Sequence, residues 1–178
     1  MSISERGSAH DEAARRELSE AVALRERGDR ASREEARERL VRLAARFPED
    51  AGIAYQTAWA HDVLGLEAAA VPHYERALAG GGLSGADRCE ALLGLGSTYR
   101  ILGRYEEAER TLRGAVAEFP AHAGLRAFWA MALHNTGRAE EAVPLLLELL
   151  ATTSADPTLK PFAPAIAAYA QDLSATVR

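Results

Sequence analysis

Cysteine is all but absent from this chain of 178 residues: Cys89 is the only one. An intramolecular disulfide is excluded, as is a zinc site built on paired cysteines, and a reducing, cytoplasmic setting is expected. Lysine is equally scarce. Lys160 stands alone against 20 arginines, so a phosphate-cradling loop that needs Lys straight after its glycines has none to use. Aromatics make up only 6%, and the Val/Ile/Thr clusters that mark strands are missing. The longest apolar run, near "AVPLLLELLA", is too short to cross a bilayer, so no membrane partner is expected. The opening "MSISERGSAHDEAARRE" has no apolar core, unlike a secretion signal. A net charge of −5 leaves no electrostatic footprint for nucleic acid.

What remains is rich in Ala, Leu, Glu and Arg, all strong helix formers. Residues 1–50 hold eleven Arg and twelve Asp/Glu, paired at i,i+4 as Glu12/Arg16, Glu35/Arg39 and Glu38/Arg42. That is a solvated helix face laced with ion pairs, not a basic arm.

The chain repeats itself. Central alanines at Ala36, Ala70, Ala108 and Ala142 are spaced by 34, 38 and 34 residues. Four residues after each stand Leu40, Tyr74, Leu112 and Leu146, and three further on Leu43, Ala77, Ala115 and Leu149. Gly65, Gly103 and Gly137 lie five residues before their alanine; Gly28 lies eight before Ala36, so three extra residues are expected in that turn. Pro48 and Pro120 close matching phrases, "ARFPED" and "AEFPAH". Apolar residues within a unit recur at helical period, with a Gly between two faces. Each unit therefore predicts a helical hairpin, and hairpins bury both faces only by stacking. The 38-residue interval holds "LAGGGLSGADRCE", which predicts an inserted surface loop, with Ser84 and Asp87 capping the next helix. Pro72 and Pro144 fall two residues after their alanines and predict a bend or an unpaired carbonyl. From Pro161 on, Phe162, Ile166, Tyr169, Leu173 and Val177 form one stripe, predicting a helix over about 158–177 that caps the last unit or packs on a second copy.

This skeleton resembles the tetratricopeptide repeat family, through Leu95-Gly96, Tyr99, Gly103, Tyr105, Ala108, Ala115 and Pro120 and their counterparts in the second and fourth units. "AWAHDVLGLE", "GLGSTYRILGRY" and "AMALHNTG" are similar to the group-5 subfamily, which implies a homodimer. The resemblance implies an all-α fold: a right-handed α-solenoid of four helix-turn-helix repeats (about 14–48, 51–83, 89–122 and 123–156) and the capping helix, forming one domain over 1–178. It also implies that the first helices line a concave groove. The positions facing out of it are Tyr55, Trp59 and Asp62, then Ser97 and Arg100, then Met131, His134 and Asn135, with Leu93 and Ala127 beside them.

Chemistry finds little purchase. "GLGST" at 94–98 suggests a phosphate loop, but Tyr99 stands where the third Gly of a dinucleotide pattern belongs. Gly96 instead aligns with Ala58 and Ala130, small where the second helix approaches; Gly94 has no assignable role. The histidines His10, His61, His73, His122 and His134 form no zinc pattern. Ser97 lacks a nucleophile elbow. No catalytic residue, metal or cofactor is expected. The groove offers Tyr55, Trp59, Ser97 and Met131 where a clamp for chaperone tails carries Lys and Asn, leaving Arg100 as the residue that can meet an acid. The leading expectation is a non-enzymatic scaffold holding a peptide or protein partner. The alternatives are a small-molecule binder or minor enzyme using Trp59, Asp62, Arg100 and His134, and a module that chiefly pairs with itself.

Overall fold

The computed structural model describes residues 3–174, with side chains from residue 12 onward. Val177 and the side chain of His10 lie outside them. The described residues are helical, with no strand among them. In chain order they form α1 (Ile3–Glu26), α2 (Arg30–Arg46), α3 (Ala51–Asp62), α4 (Glu67–Ala79), α5 (Gly85–Ile101), α6 (Tyr105–Glu118), α7 (Ala123–Asn135) and α8 (Ala139–Thr153). A 3-10 turn at Lys160–Phe162 then leads into α9 (Ala163–Gln171). These are four successive helix-turn-helix hairpins and a short terminal helix. The chain divides into two compact units, Met1–Thr98 and Tyr99–Arg178.

Every hairpin turns on one glycine. Gly28, Gly65, Gly103 and Gly137 have φ of 84°, 71°, 73° and 79°, the left-handed region that a side chain disfavours. In three turns the flanking amides satisfy the last carbonyls of the first helix: the Leu66 N–H donates to His61 O, Arg104 to Tyr99 O and Arg138 to Leu133 O, at 3.1, 2.9 and 2.8 Å. The first helices start on side-chain caps, as Asp50, Ser84 and His122 accept the N–H of Ile53, Asp87 and Leu125.

The surplus residues are not where the repeat spacing put them. Each second helix begins two residues past its glycine, the first hairpin included. The three residues expected in the Gly28 turn lie inside α2, which has 17 residues against 13, 14 and 15 in α4, α6 and α8. Likewise the 38-residue interval mostly lengthens α5, which has 17 residues against 12 in α3 and 13 in α7. An insert of three or four residues is about one helical turn of 3.6. It leaves every downstream side chain on its face, so a longer helix absorbs it without disturbing the core.

Ala36, Ala70, Ala108 and Ala142 are all buried, as are Ala58, Gly96 and Ala130. Leu40, Tyr74 and Leu112 are buried too, but Leu146, in the same register, is 44% exposed. α9, which packs on α8, leaves it open. α4 and α8 run unbroken through Pro72 and Pro144. The end helix departs from its expected form. It stops at Gln171 and packs on α8 through buried Ala170 and half-buried Ile166. Phe162 and Tyr169 stay 63% and 61% exposed, and Leu173 is exposed as well. The small alanines make the contact, and the aromatic stripe faces away.

In the second hairpin His61 stacks on His73 at 5.2 Å. The His61 Nδ1–H donates to Thr57 O at 2.8 Å, and Arg76 Nη2 donates to His73 Nδ1 at 2.6 Å. Burial first, then the charges of His61 and Arg76, pulls His73 down to about 4. The unfolded chain protonates His73 near 6.5, so its contribution is intact above that pH and is lost as pH falls from 6.5 towards about 4. Thermal melts of wild type and His73→Gln should therefore diverge across that window, with the variant falling less; parallel curves would contradict it.

Candidate functional site

Counting back from the turn glycines aligns the first helices in rows. Three residues before each stand Arg25, Asp62, Arg100 and His134, and six before stand Val22, Trp59, Ser97 and Met131. The two compact units use these rows differently.

In the first unit the row is turned inward. Arg25 is buried, its guanidinium 3.9 Å from the centre of the Trp59 ring and its Nη1 donating to Gln56 Oε1 at 2.5 Å. Burial lowers its pKa. Trp59 keeps 39% of its surface open. Tyr55 is buried between Trp59 and Tyr74, with ring centres 5.8 and 6.5 Å away. Burial, with Glu90 and Asp87 nearby, pushes its hydroxyl up to about 12. Asp62 is half-buried and already engaged: Tyr74 Oη donates to Oδ2 at 2.7 Å, and Thr98 Oγ1 donates to Oδ1 at 2.9 Å. Burial raises its pKa against the pull of those two hydroxyls. Gly94 makes room for this network, since a Cβ there would lie 2.6 Å from Tyr74 Cζ and closer still to the hydroxyl. Ser97 is half-buried beside them. Trp59 is thus the large open surface of this set, with Tyr55 and Arg25 packed against its ring.

In the second unit four of the expected residues converge. Arg100, Met131, His134 and Asn135 line one cavity of about 280 Å³, walled by Ala130, Ala139, Ala142, Val143 and Leu146. The wall is apolar, and no acidic residue lines it. Arg100 Nε and Asn135 Oδ1 are shut off from solvent with no hydrogen-bond partner among the described residues. Such orphaned groups are few in folded proteins, and Arg33 Nε and Arg37 Nε on α2 share the condition.

Away from this cavity, Glu109 ties the unit together. Its buried carboxylate accepts Trp129 Nε1 at 3.3 Å and Arg138 Nη1 at 3.0 Å, joining α6, α7 and the start of α8. Among the described residues no three His, Cys, Asp or Glu gather as a metal would need. Among the described residues no helix is long and apolar enough to cross a membrane.

Sequence reasoning missed Arg25, Gly94 and Glu109. Arg25 was findable by counting from Gly28; counting from Ala36 hid it, because the extra turn of α2 lies between. The profile of the Tetratrico peptide repeat family matches residues 51–173, which takes in the second to fourth hairpins and α9. No curated protein matches the chain.

Proposed function

The chain belongs to the tetratricopeptide repeat family, and from that premise we propose that it is a non-enzymatic interaction module whose first helices hold a peptide or partner segment. Repeats of this family generally mediate protein–protein contacts. The observation that carries the reading is the second unit's cavity, where an apolar wall meets an unpaired cation and an unpaired amide. Within the first unit, Trp59 offers an open aromatic face already stiffened by Arg25. At about 280 Å³ the cavity suits one side chain rather than a drug-sized ligand, for which pockets run roughly 300–1,000 Å³. The lone buried Cys89 fits a reducing, cytoplasmic setting.

Peptides selected from a random library on the purified protein test this. Trp59→Ala and Arg100→Ala should each weaken their binding about thirtyfold, roughly 2 kcal/mol, with helical circular dichroism unchanged. Glu106→Ala, on exposed α6 surface, should change it less than about twofold. Equal losses in all three would defeat the proposal.

A second reading, self-association, is favoured by the uncharged stretch that forms α9. From Pro161 to Gln171 there is no charged residue. Val143, Leu146 and Leu150 on α8 and Phe162, Tyr169 and Leu173 at α9 are exposed. A second copy would meet such a surface with no like-charge cost, and charge depletion is typical of interface cores. Six half-open side chains offer roughly 600 Å² per copy, against about 800 Å² in a standard interface. Light scattering should show a dimer that Phe162→Lys with Tyr169→Lys converts to monomer; a monomeric wild type would end this reading.

A further inference from the structure

We propose that the cavity of the second unit is the socket for Tyr169 of a second copy, the two copies exchanging these rings about a twofold axis. This rests on the self-association reading above and names the contact through which it works. Repeat register carries it. Met131, His134, Ala142, Val143 and Leu146 line the cavity. Counted from the turn glycines, their counterparts in the second hairpin are Trp59, Asp62, Ala70, Val71 and Tyr74. Tyr74 is buried, its ring reaching to where a Cβ on Gly94 would lie and its hydroxyl donating to Asp62 at 2.7 Å. Leu146 is a ring shorter and 44% exposed, and the space beside it is the cavity of about 280 Å³. The fourth hairpin has the frame for a tyrosine ring without the ring.

Tyr169 supplies it. α9 turns Ala170 to α8 and carries Tyr169 on the side facing away, 61% exposed, so the ring does not enter the cavity of its own chain. In a second copy's cavity the ring lies against Met131, Val143 and Leu146. Its hydroxyl meets His134 at the rim, as that of Tyr74 meets Asp62, and a buried tyrosine hydroxyl needs such a partner. Charge does not oppose the contact. Nothing from Pro161 to Gln171 is charged, and Arg100 in the cavity lining is attracted to an aromatic ring. With exposed Met131 and His134 added to the open side chains of α8 and α9, roughly 750 Å² per copy is on offer, near the standard of about 800 Å². Ring and socket both lie in the second unit, so each copy gives one and receives one, and an isologous contact of that kind closes at two copies. Val143 and Leu146 then serve both contacts of this protein. A docked segment and the partner's Tyr169 exclude each other, so self-association keeps the cavity shut and a bound segment shifts dimer to monomer.

The test uses the whole chain and two variants. Tyr169→Ala keeps the socket and removes the ring; Leu146→Trp keeps the ring and fills the socket. Both positions are exposed in the single chain, so both variants should keep wild-type circular dichroism. Each alone should dimerise about a hundredfold more weakly by sedimentation, since both contacts are lost. An equimolar mixture should recover about tenfold, because one ring meets one open socket. Met131 reports on the socket directly. Met1 and Met131 are the only methionines, so isotope labelling of methionine methyls places a single NMR probe at the cavity. Its resonance should move as the dimer forms on concentration, and should stay still in Tyr169→Ala. The inference is overturned if the mixture recovers nothing, or if the dimer forms with the Met131 resonance unmoved. A dimer that Phe162→Lys with Tyr169→Lys still breaks would then leave the self-association reading standing through another contact. A wild type monomeric throughout removes both. Library peptides that lose affinity in Leu146→Ala should dissociate the wild-type dimer; such a peptide bound to an intact dimer would overturn the placement of Tyr169.

Discussion

Gly94→Leu should lower the thermal midpoint by roughly 6–12 °C, equivalent to about 3 kcal/mol. An ordinary glycine inside a helix weakens it, and replacing it usually helps by about 0.5–1 kcal/mol. Gly94 is different because Tyr74 fills the space its side chain would take, with Cζ 2.6 Å from an added Cβ. A tyrosine ring swings aside cheaply when its tip is free. This tip is fixed: Tyr74 is buried, and its hydroxyl donates to Asp62 at 2.7 Å. Displacing the ring breaks that bond and leaves a half-buried carboxylate with Thr98 as its remaining hydroxyl donor. Gly114 is the control. It lies within α6 with nothing within 4 Å of an added Cβ, so Gly114→Ala should raise stability by about 0.5–1 kcal/mol. Calorimetry that gave both substitutions the same sign would show that Gly94 is not held open for Tyr74.

That contrast marks how far the fold and site were legible. Turn glycines and central alanines announce themselves, because a left-handed φ and a close helix contact each tolerate few residue types. They recur at the repeat length, and four hairpins follow from them. The reason for Gly94 lies 20 residues away in Tyr74, inside one unit and unrepeated in the others, so no periodicity carries it. Glu109 is similar: Arg37, Val71 and Val143 occupy its position after the other central alanines, and only the packed structure brings Trp129 and Arg138 to it. The stripe from Phe162 to Leu173 was visible as apolar periodicity. Periodicity says that a face exists, not which neighbour takes it, and α8 took the alanine side. The convergence of Arg100, Met131, His134 and Asn135 was readable from register, whereas the missing partners of Arg100 Nε and Asn135 Oδ1 are properties of packing.

The second large effect separates holding the site up from forming it, using one residue type in two places. Leu133 is almost fully buried and packs with Ala130 and Ala142, backed by Trp129 and Leu145. Leu146 stands on α8 at the cavity wall, 44% exposed. Leu133→Ala removes the same three carbons as Leu146→Ala, but from surroundings that cannot close over the gap, because the helices on either side are already at small-residue contact. It should cost about 3 kcal/mol, within the roughly 2–5 kcal/mol typical of buried leucines. Its midpoint should fall by roughly 6–12 °C. Leu146→Ala gives up surface that is half in water, so its cost should stay below about 1 kcal/mol. For binding the order should reverse. Leu146→Ala strips the wall against which an apolar side chain packs and should weaken library-selected peptides at least tenfold. Leu133→Ala, assayed well below its own melting range, keeps every side chain that lines the cavity and should weaken them less than about threefold. If Leu146→Ala costs stability and spares binding, the exposed end of α8 is structural surface, and the cavity beside it is not where the partner docks.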